Sequence, residues 1–195
     1  MMLGVYEKGE FKSGVTVDGK QVKTKEYQLW EGMLRRCYCE KLQQRCPTYI
    51  GCSVSENFKN FQWFAEWCQS QVGFRMHGCQ LDKDILLRGN KQYSEDTCVF
   101  VPRNINMLLI KRQASRGDLP IGVHWCNTGH NYRASCSDGA GSSKHIGRFT
   151  TPSAAFNAYK PFKEALIKRL AAEYQSVIDP RVYDALMAYE VFITD

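Results

Sequence analysis

Residues 80–109 contain two short apolar runs that are separated by a polar loop and followed by a helical pattern. The first run, 81–86, carries two acidic residues and has the length of a strand. The second run, 97–101, is rich in β-branched and aromatic residues and is stopped by Pro102. Residues 104–111 then place apolar side chains at helical spacing. Strand, loop, strand and helix form a small platform that can hold a hard metal ion against a phosphate.

The composition is that of a globular protein and not of a disordered chain. The 195 residues, enough for one domain of ordinary size or two small ones, are 44% hydrophobic and 24% charged. The net charge of +6 suits a nucleic-acid partner. The chain shows neither a charged start followed by an apolar run nor a long apolar stretch, so we expect no secretory signal and no membrane span. A cytoplasmic location is the corresponding expectation.

Nine cysteines is an odd number, and none of them lies in a CxxC pair. We expect reduced thiols, several of them buried as small hydrophobic side chains. Cys37, Cys39, Cys46 and Cys52 are the closest group, but their spacing matches none of the usual structural zinc sites. A structural zinc ion is therefore not expected.

Residues 1–25 are expected to form a basic N-terminal arm. Lys20, Lys23 and Lys25 give it positive charge, which fits either a solvated tail or an arm that lies along DNA phosphates. The glycine-punctuated segment 14–20 suggests a short hairpin or a loose arm.

Two helices are predicted before the 80–109 platform. The first covers 26–36, and the second, over 57–70, is amphipathic with an aromatic stripe. A stripe at this spacing favours packing in a core over stacking on bases. We expect helix 57–70 to pack against the platform, which is too small to bury a core alone. Residues 26–110 are accordingly assigned to one domain.

The segment 111–119 is polar and basic and is predicted to be a linker. Its cations Lys111, Arg112 and Arg116 can contact the DNA backbone while joining two domains.

The pattern changes at Pro120, where the second domain, 120–195, is predicted to begin. Three β-rich segments separated by turn residues predict a three-stranded antiparallel sheet over 122–126, 132–136 and 144–149. Thr151 and Pro152 then start a long helix, and Asp179 starts a last one. The predicted class is α+β: N-terminal helices packed on a ββα platform, then a three-stranded sheet with one covering helix.

Strand alternation sorts the side chains of this sheet into two faces. One set faces the covering helix: Val123, Trp125, Tyr132, Ala134, Cys136 and Ile146. The other set lies on an open face: His124, Arg133, Ser135 and His145, with Ser143 in step. Arg133 can make a bidentate contact to a guanine, and Lys144 and Arg148 are expected to reach phosphates. The alternative is a half-exposed sheet with ordinary polar residues.

Residues 80–109 resemble the ββα-metal finger of HNH nucleases, particularly those of phage type. The quoted matches are Leu81-Asp82-Lys83 at the start and Tyr93-Ser94-Glu95 in the loop, preceded by Trp30, Met33 and Arg36-Cys37-Tyr38. The resemblance implies one Mg²⁺ or Mn²⁺ ion held by Asp82 and Asn106. The alternative is that Asp82 and Asp84 are solvated residues that flank a turn.

This sequence departs from the nuclease pattern at two positions. Lys83 stands where the family has its catalytic His, and Thr97 stands where it has the Asn that orients that His. A protonated lysine cannot take a proton from water at neutral pH, although it can stabilise negative charge on a phosphate. The resemblance then leaves His77, Asp84 or a metal-bound hydroxide as the general base.

Residues 120–174 resemble the ethylene-response-factor (APETALA-type) DNA-binding domain. The quoted matches are Gly122-Val123, Tyr132-Arg133-Ala134, Gly147-x-Phe149 and Ala154-Ala155-x-x-Ala158-Tyr159. The resemblance implies that the sheet enters the major groove while the helix covers its back. His124 and His145 stand where the family has Arg and Trp, so the base preference of the family does not transfer.

The leading hypothesis is therefore a phage-type, HNH-like, site-specific DNA endonuclease of homing type that acts on double-stranded DNA in the cytoplasm of a host bacterium. A second hypothesis is a degenerate nuclease kept as a DNA-binding repressor or decoy, which the replacements at Lys83 and Thr97 support. A third is a protein that blocks a host factor by contact. A monomer is compatible with each, and the sequence leaves the oligomeric state open.

Overall fold

A computed structural model of the chain describes residues 4–111, 116–138 and 141–195. The chain divides into two compact units, Met1–Phe100 and Val101–Asp195. Both units combine helices and strands, which confirms the predicted α+β class. None of the helices within these described ranges has the length and apolar composition needed to cross a lipid bilayer.

Short helices and short strands alternate along the first unit. The helices are α1 (Lys25–Tyr38), α2 (Glu40–Arg45), α3 (Glu56–Lys59) and α4 (Phe61–Ser70), with a 3-10 turn at Pro47–Tyr49. The strands are β1 (Gly14–Val17), β2 (Lys20–Lys23), β3 (Ser53–Val54), β4 (Cys79–Asp82) and β5 (Gln92–Tyr93). The boundary between the units falls within β6 (Val99–Pro102). β1 pairs with β2, β3 with β5, and β4 with β6.

The N-terminal hairpin turns on two residues with positive φ. Asp18 (φ 49°) and Gly19 (φ 75°) join β1 to β2, and Asp-Gly is a preferred pair for the tight turn of a hairpin. Val15 lies opposite Val22 in the antiparallel register. Of the two alternatives for this segment, the chain adopts the hairpin.

The core of the first unit is largely aromatic. Trp30 of α1 is buried, and its indole N–H donates to the Phe58 carbonyl oxygen at 2.9 Å. The rings of Phe58 and Trp67 lie 4.6 Å apart between centroids, and Phe61 and Phe64 are fully buried. The aromatic stripe of residues 57–70 is therefore core, as its spacing favoured.

The prediction of a single helix over 57–70 is wrong, because the chain forms two helices, α3 and α4, with a break at Asn60. The extended backbone of Val5 enters this break: its N–H donates to the Lys59 carbonyl oxygen, and its carbonyl oxygen accepts from the Phe61 N–H. The Asn60 side chain accepts from the Trp63 N–H at 3.1 Å and so caps α4. The backbone groups exposed by the break are thus satisfied.

The strands of the 80–109 platform are displaced from their predicted positions. β4 ends at Asp82, although the prediction extended it to residue 86, and β6 begins at Val99 and not at Thr97. The Thr97 hydroxyl instead donates to the Gln92 carbonyl oxygen within the loop. β6 ends at Pro102, one residue beyond the predicted end at Val101, and α5 (Arg103–Leu109) follows at once. The order of strand, strand and helix is therefore present.

The second unit is a three-stranded antiparallel sheet with helices. Its strands, in the spatial order β7–β8–β9, are β7 (Val123–Cys126), β8 (Asn131–Ser137) and β9 (Ser143–Phe149), and a 3-10 turn occupies Asn127–Gly129. α6 (Pro152–Tyr174) packs on the sheet, and α7 (Pro180–Met187) packs on α6. Thr151 and Asp179 cap the two helices through their side chains, as their sequence positions predicted.

Candidate functional site

The open face of the β7–β9 sheet carries most of the residues expected to contact DNA. Residues that pair directly in an antiparallel sheet point to the same side. His124 pairs with Arg133, and Arg133 pairs on its other side with Arg148. Ser135 pairs with His145. These five side chains share one face, which we call the open face.

The opposite face lies under α6 and is apolar. Val123 and Ala134 are fully buried there, and Cys136 is almost so, as the strand alternation predicted. Trp125 shares their side but is 46% exposed, and its indole packs against the Tyr132 ring with centroids 4.9 Å apart. Strand alternation therefore predicted the side of the sheet on which Trp125 lies, but it did not predict that the side chain is exposed.

A β-bulge in β9 decides which residues reach the open face. The register shifts between Ala134 and Ser135, so that Gly147 pairs with Ala134 and His145 pairs with Ser135. Ile146 is the extra residue between them and is half-buried, and its expected position facing α6 stays a prediction. Because of the bulge, Arg148 joins Arg133 on the open face.

Lys144 is turned away from the open face. It pairs with the buried Cys136, and its ammonium lies 5.1 Å from the centre of the Phe162 ring on α6. A cation in this position packs on an aromatic face at the edge of the sheet. Its expected contact to a phosphate stays a prediction, and it cannot come from the face that carries Arg133.

Arg133 and His145 are joined directly across the open face. Nε of Arg133 donates to Nδ1 of His145 at 3.1 Å. His124 lies next to Arg133 on β7, and burial, followed by the charges of Arg133 and Arg116, lowers the pKa of its imidazole. His124, Arg133 and Ser135 line a hollow at this end of the sheet together with Trp125 and Cys126.

The cations of the predicted linker have partners inside the second unit. The Lys111 ammonium lies 2.8 Å from Oδ1 of Asp195, whose side chain is buried. Arg116 donates to the carbonyl oxygens of Lys111 and Asp195. Arg112 lies outside the described residues. Any contact of Lys111 or Arg116 to a DNA backbone would therefore compete with these internal contacts.

In the first unit, Asp82 ends β4 and caps the turn that follows. Its Oδ1 accepts hydrogen bonds from the N–H groups of Asp84 at 2.7 Å and Ile85 at 2.8 Å. Burial raises the pKa of the Asp82 carboxyl, and the two backbone hydrogen bonds act in the opposite direction. The strand stops here because this side chain binds the backbone two and three residues further on.

Lys83 is buried, with 5% of its surface exposed, and its side chain bonds to the loop that follows, up to Asn90. Its ammonium donates to the Asn90 carbonyl oxygen and to Oδ1 of Asp84, each at 2.6 Å. The Asn90 amide donates back to the Lys83 carbonyl oxygen at 2.8 Å. Two of the three ammonium donors are thus used within residues 83–90. The phosphate contact implied by the resemblance stays a prediction.

The donors near Asp82 do not by themselves fit an Mg²⁺ or Mn²⁺ ion, which prefers several oxygen ligands. Oδ1 of Asp82 is bound to the turn, and Asp84 is paired with Lys83. His77 is exposed in the turn before β4, and Asn106 lies on α5 in the second unit. In the described parts of the chain, no three His, Cys, Asp or Glu side chains gather as a metal site. The pair Asp82 and Asn106 stays a prediction.

One cluster in the first unit was not predicted. Nε of Arg36 donates to the Tyr93 hydroxyl at 2.9 Å, and the guanidinium lies 5.3 Å from the centre of the Tyr93 ring. The Lys83 ammonium lies 5.7 Å from the same ring. Arg36 and Tyr93 are 57 residues apart in the chain, so no local pattern could connect them.

On the open face, sequence reasoning missed the placement of Arg148 beside Arg133, because the bulge that causes it has no signal in strand alternation. It also missed the hydrogen bond between Arg133 and His145. The resemblances to HNH nucleases and to the ethylene-response-factor domain rest on the short sequence matches named for each of them.

Comparison of the chain with models of protein families, with curated proteins and with solved structures gave no match.

Proposed function

We propose that the protein binds double-stranded DNA through the open face of the β7–β9 sheet. The observation that carries this proposal is the row formed by His124, Arg133 and Arg148, which lie side by side across the three strands. The three strands contain no Asp or Glu. The face therefore offers donors and positive charge with no carboxylate to oppose a polyanion.

The pair of arginines argues against an ordinary polar face. Like charges directly opposite each other on neighbouring strands destabilise a sheet, whereas opposite charges stabilise it. Arg133 and Arg148 are such a like-charged pair, and both are exposed. A binding partner with closely spaced negative charges would turn this unfavourable pair into a favourable one.

The dimensions of the sheet suit a DNA groove. Three strands spaced by about 4.8 Å measure about 10 Å between the outer strands, and the major groove is about 12 Å wide. The end of a guanidinium can donate two hydrogen bonds to O6 and N7 of guanine. In this proposal Arg133 reads a base, and Arg148 contacts a base or a neighbouring phosphate.

The proposal is tested by measuring binding to a fluorescent random-sequence duplex over a range of salt concentrations. The double variant Arg133→Ala/Arg148→Ala is expected to bind at least tenfold more weakly and to reduce the salt slope by up to about two. Lys168→Ala/Arg169→Ala on α6 removes the same charge from exposed positions and is the matched control. Equal losses in both double variants would contradict the proposal, because the charge and not the face would then matter.

A second proposal is the metal-dependent endonuclease implied by the nuclease resemblance. It is supported by the order β4, β6, α5 and by Asp82 at the end of the first of these strands. Plasmid DNA is incubated with the protein in the presence of Mg²⁺, Mn²⁺ or EDTA. Asp82→Asn keeps an oxygen for the turn and removes the charge, so metal-dependent breaks that this variant abolishes would support cleavage. Binding without breaks supports the DNA-binding function alone, and absence of both favours a protein partner.

A further inference from the structure

The hydrogen bond between Arg133 and His145 fixes the proton of the imidazole. Nε of Arg133 can only donate, so Nδ1 of His145, 3.1 Å away, is the acceptor and carries no proton. The proton of the neutral ring then lies on Nε2. Both side chains lie on exposed strand positions of the open face.

This contact leaves the useful edge of Arg133 available. With Nε bound to the imidazole, the end of the guanidinium, Nη1 and Nη2, can make the two parallel hydrogen bonds that a guanine accepts. A guanidinium held by a neighbour loses less conformational freedom when it binds. The Nε2–H of His145 remains as a further donor for a phosphate or a base acceptor.

We propose, on the basis of the DNA-binding function above, that His145 is a positioning residue that orients Arg133 toward one base, and that protonation of His145 abolishes this orientation. The doubly protonated ring has no acceptor, so Arg133 loses its partner while the face gains one positive charge. Acidification therefore has two opposite effects: sequence discrimination falls, and affinity for DNA of any sequence rises.

The charged groups on the face of His145 are cations, so a proton added to its ring would repel Arg133. The titratable and charged side chains on its face are Arg133 on β8, Arg148 on β9 and His124 on β7, with Arg116 near His124. The strands contribute no carboxylate that could compensate a proton on His145. α6 covers the other face of the sheet, where Lys144 lies over Phe162.

The test selects duplexes from a randomised pool with the whole protein at pH 7.5 and at pH 5.5. Discrimination is the ratio of the dissociation constant for the random pool to that for the best selected duplex. For the unaltered protein we expect this ratio to fall about tenfold on acidification, while affinity for the random pool rises. His145→Asn places an amide oxygen near the position of Nδ1 and is expected to keep discrimination at both pH values.

His145→Ala provides the loss-of-function arm and is expected to discriminate poorly at both pH values. His130→Asn is the control, because it removes an exposed imidazole in the turn before β8 and should respond to pH like the unaltered protein. The side-chain ¹⁵N resonances of His145, measured without DNA, report separately whether Nδ1 is unprotonated at pH 7.5.

The outcomes separate the two proposals. If the protein binds DNA but His145→Ala discriminates as well as the unaltered protein, or if the ratio does not change with pH, the role of His145 is overturned alone. A proton on Nδ1 at pH 7.5 overturns it as well. If no DNA binds at either pH, the proposed function fails and this inference fails with it.

Discussion

Lys83 shows how a charged side chain is accommodated inside the first unit. Its ammonium has a carbonyl and a carboxylate acceptor within the same loop, and Asn90 returns a hydrogen bond to its backbone. A buried charge that is hydrogen-bonded costs far less than one without partners. Lys83 therefore has a structural reason to be present whether or not it contacts a phosphate.

The substitution Lys83→Met should lower the free energy of unfolding by about 1–3 kcal/mol, since it leaves the Asn90 carbonyl without its donor. Urea denaturation measures the change. Lys41→Met, at an exposed position of α2, is the matched control and should change stability by less than about 0.5 kcal/mol. Equal effects of the two substitutions would show that the loop contacts contribute nothing.

Lys163 is the contrasting case, because it is buried on α6 and forms no ion pair in the described part of the chain. Burial lowers the pKa of its ammonium from 10.5 to about 8. The unfolded chain therefore binds more protons between pH 8 and 10.5, so stability should rise across this window. Below pH 8 both states are protonated, and the destabilisation by the buried charge is fully present.

We expect Lys163→Met to raise the free energy of unfolding at pH 7 by about 1–3 kcal/mol and to remove the rise with pH. Chemical denaturation at pH 7, 8, 9 and 10 measures both effects. Lys168→Met, exposed on the same helix, should do neither. A loss of stability in Lys163→Met would mean that its ammonium has a favourable role that burial alone does not suggest.

Helix starts, strand ends and strands that depend only on neighbouring residues were predicted from the sequence. The caps Thr151 and Asp179, the stop at Pro102 and the three strands of the second unit all follow from short-range patterns. The break at Asn60 does not, because it depends on the Val5 backbone more than fifty residues earlier. Asp82 is intermediate: it was singled out as a ligand, and its turn contacts are the familiar alternative for an aspartate at a strand end.

The junction between the sheet and α6 depends on Gly122. This residue has φ 77°, and a Cβ atom added to it would overlap the Tyr159 ring. We expect Gly122→Ala to destabilise the protein by about 2–4 kcal/mol, from backbone strain and overpacking together.

Gly117 is the control for this prediction, because it also has a positive φ of 67°, but no atom of the described residues lies within 4 Å of an added Cβ. Gly117→Ala should cost about 1 kcal/mol from strain alone. Thermal denaturation of both variants gives two unfolding temperatures, and their difference measures the destabilisation caused by overlap with the Tyr159 ring. If the two variants unfold at the same temperature, the ring has moved aside at little cost.

At the scale of the whole molecule, the nine free thiols divide into two classes. Six are buried: Cys37, Cys52, Cys68, Cys79, Cys98 and Cys136. The other three, Cys39, Cys46 and Cys126, are partly exposed. Burial raises the pKa of Cys37 and of Cys98 to about 12, so these thiols remain protonated and poorly nucleophilic at neutral pH.

Titration of the native protein with an aromatic disulfide reagent at pH 8 should therefore show three thiols that react quickly and six that react only as the protein unfolds. Addition of denaturant should make all nine react at once, which is the internal control. Fast reaction of more than three thiols in the native protein would show that the buried cysteines are reached by local opening.

The bulge at Ile146 lets β9 hold one residue more than the facing part of β8 while Arg148 still points outward beside Arg133. Deletion of that one residue would restore strict alternation with Gly147 still opposite Ala134 and Arg148 still opposite Arg133, so Arg148 would remain on the open face. A bulge-free strand that retained Ile146 would instead carry Arg148 beneath α6 and bring Gly147 out in its place. The outward side chains of β9 can therefore persist in a descendant of this chain that has lost one codon at the bulge.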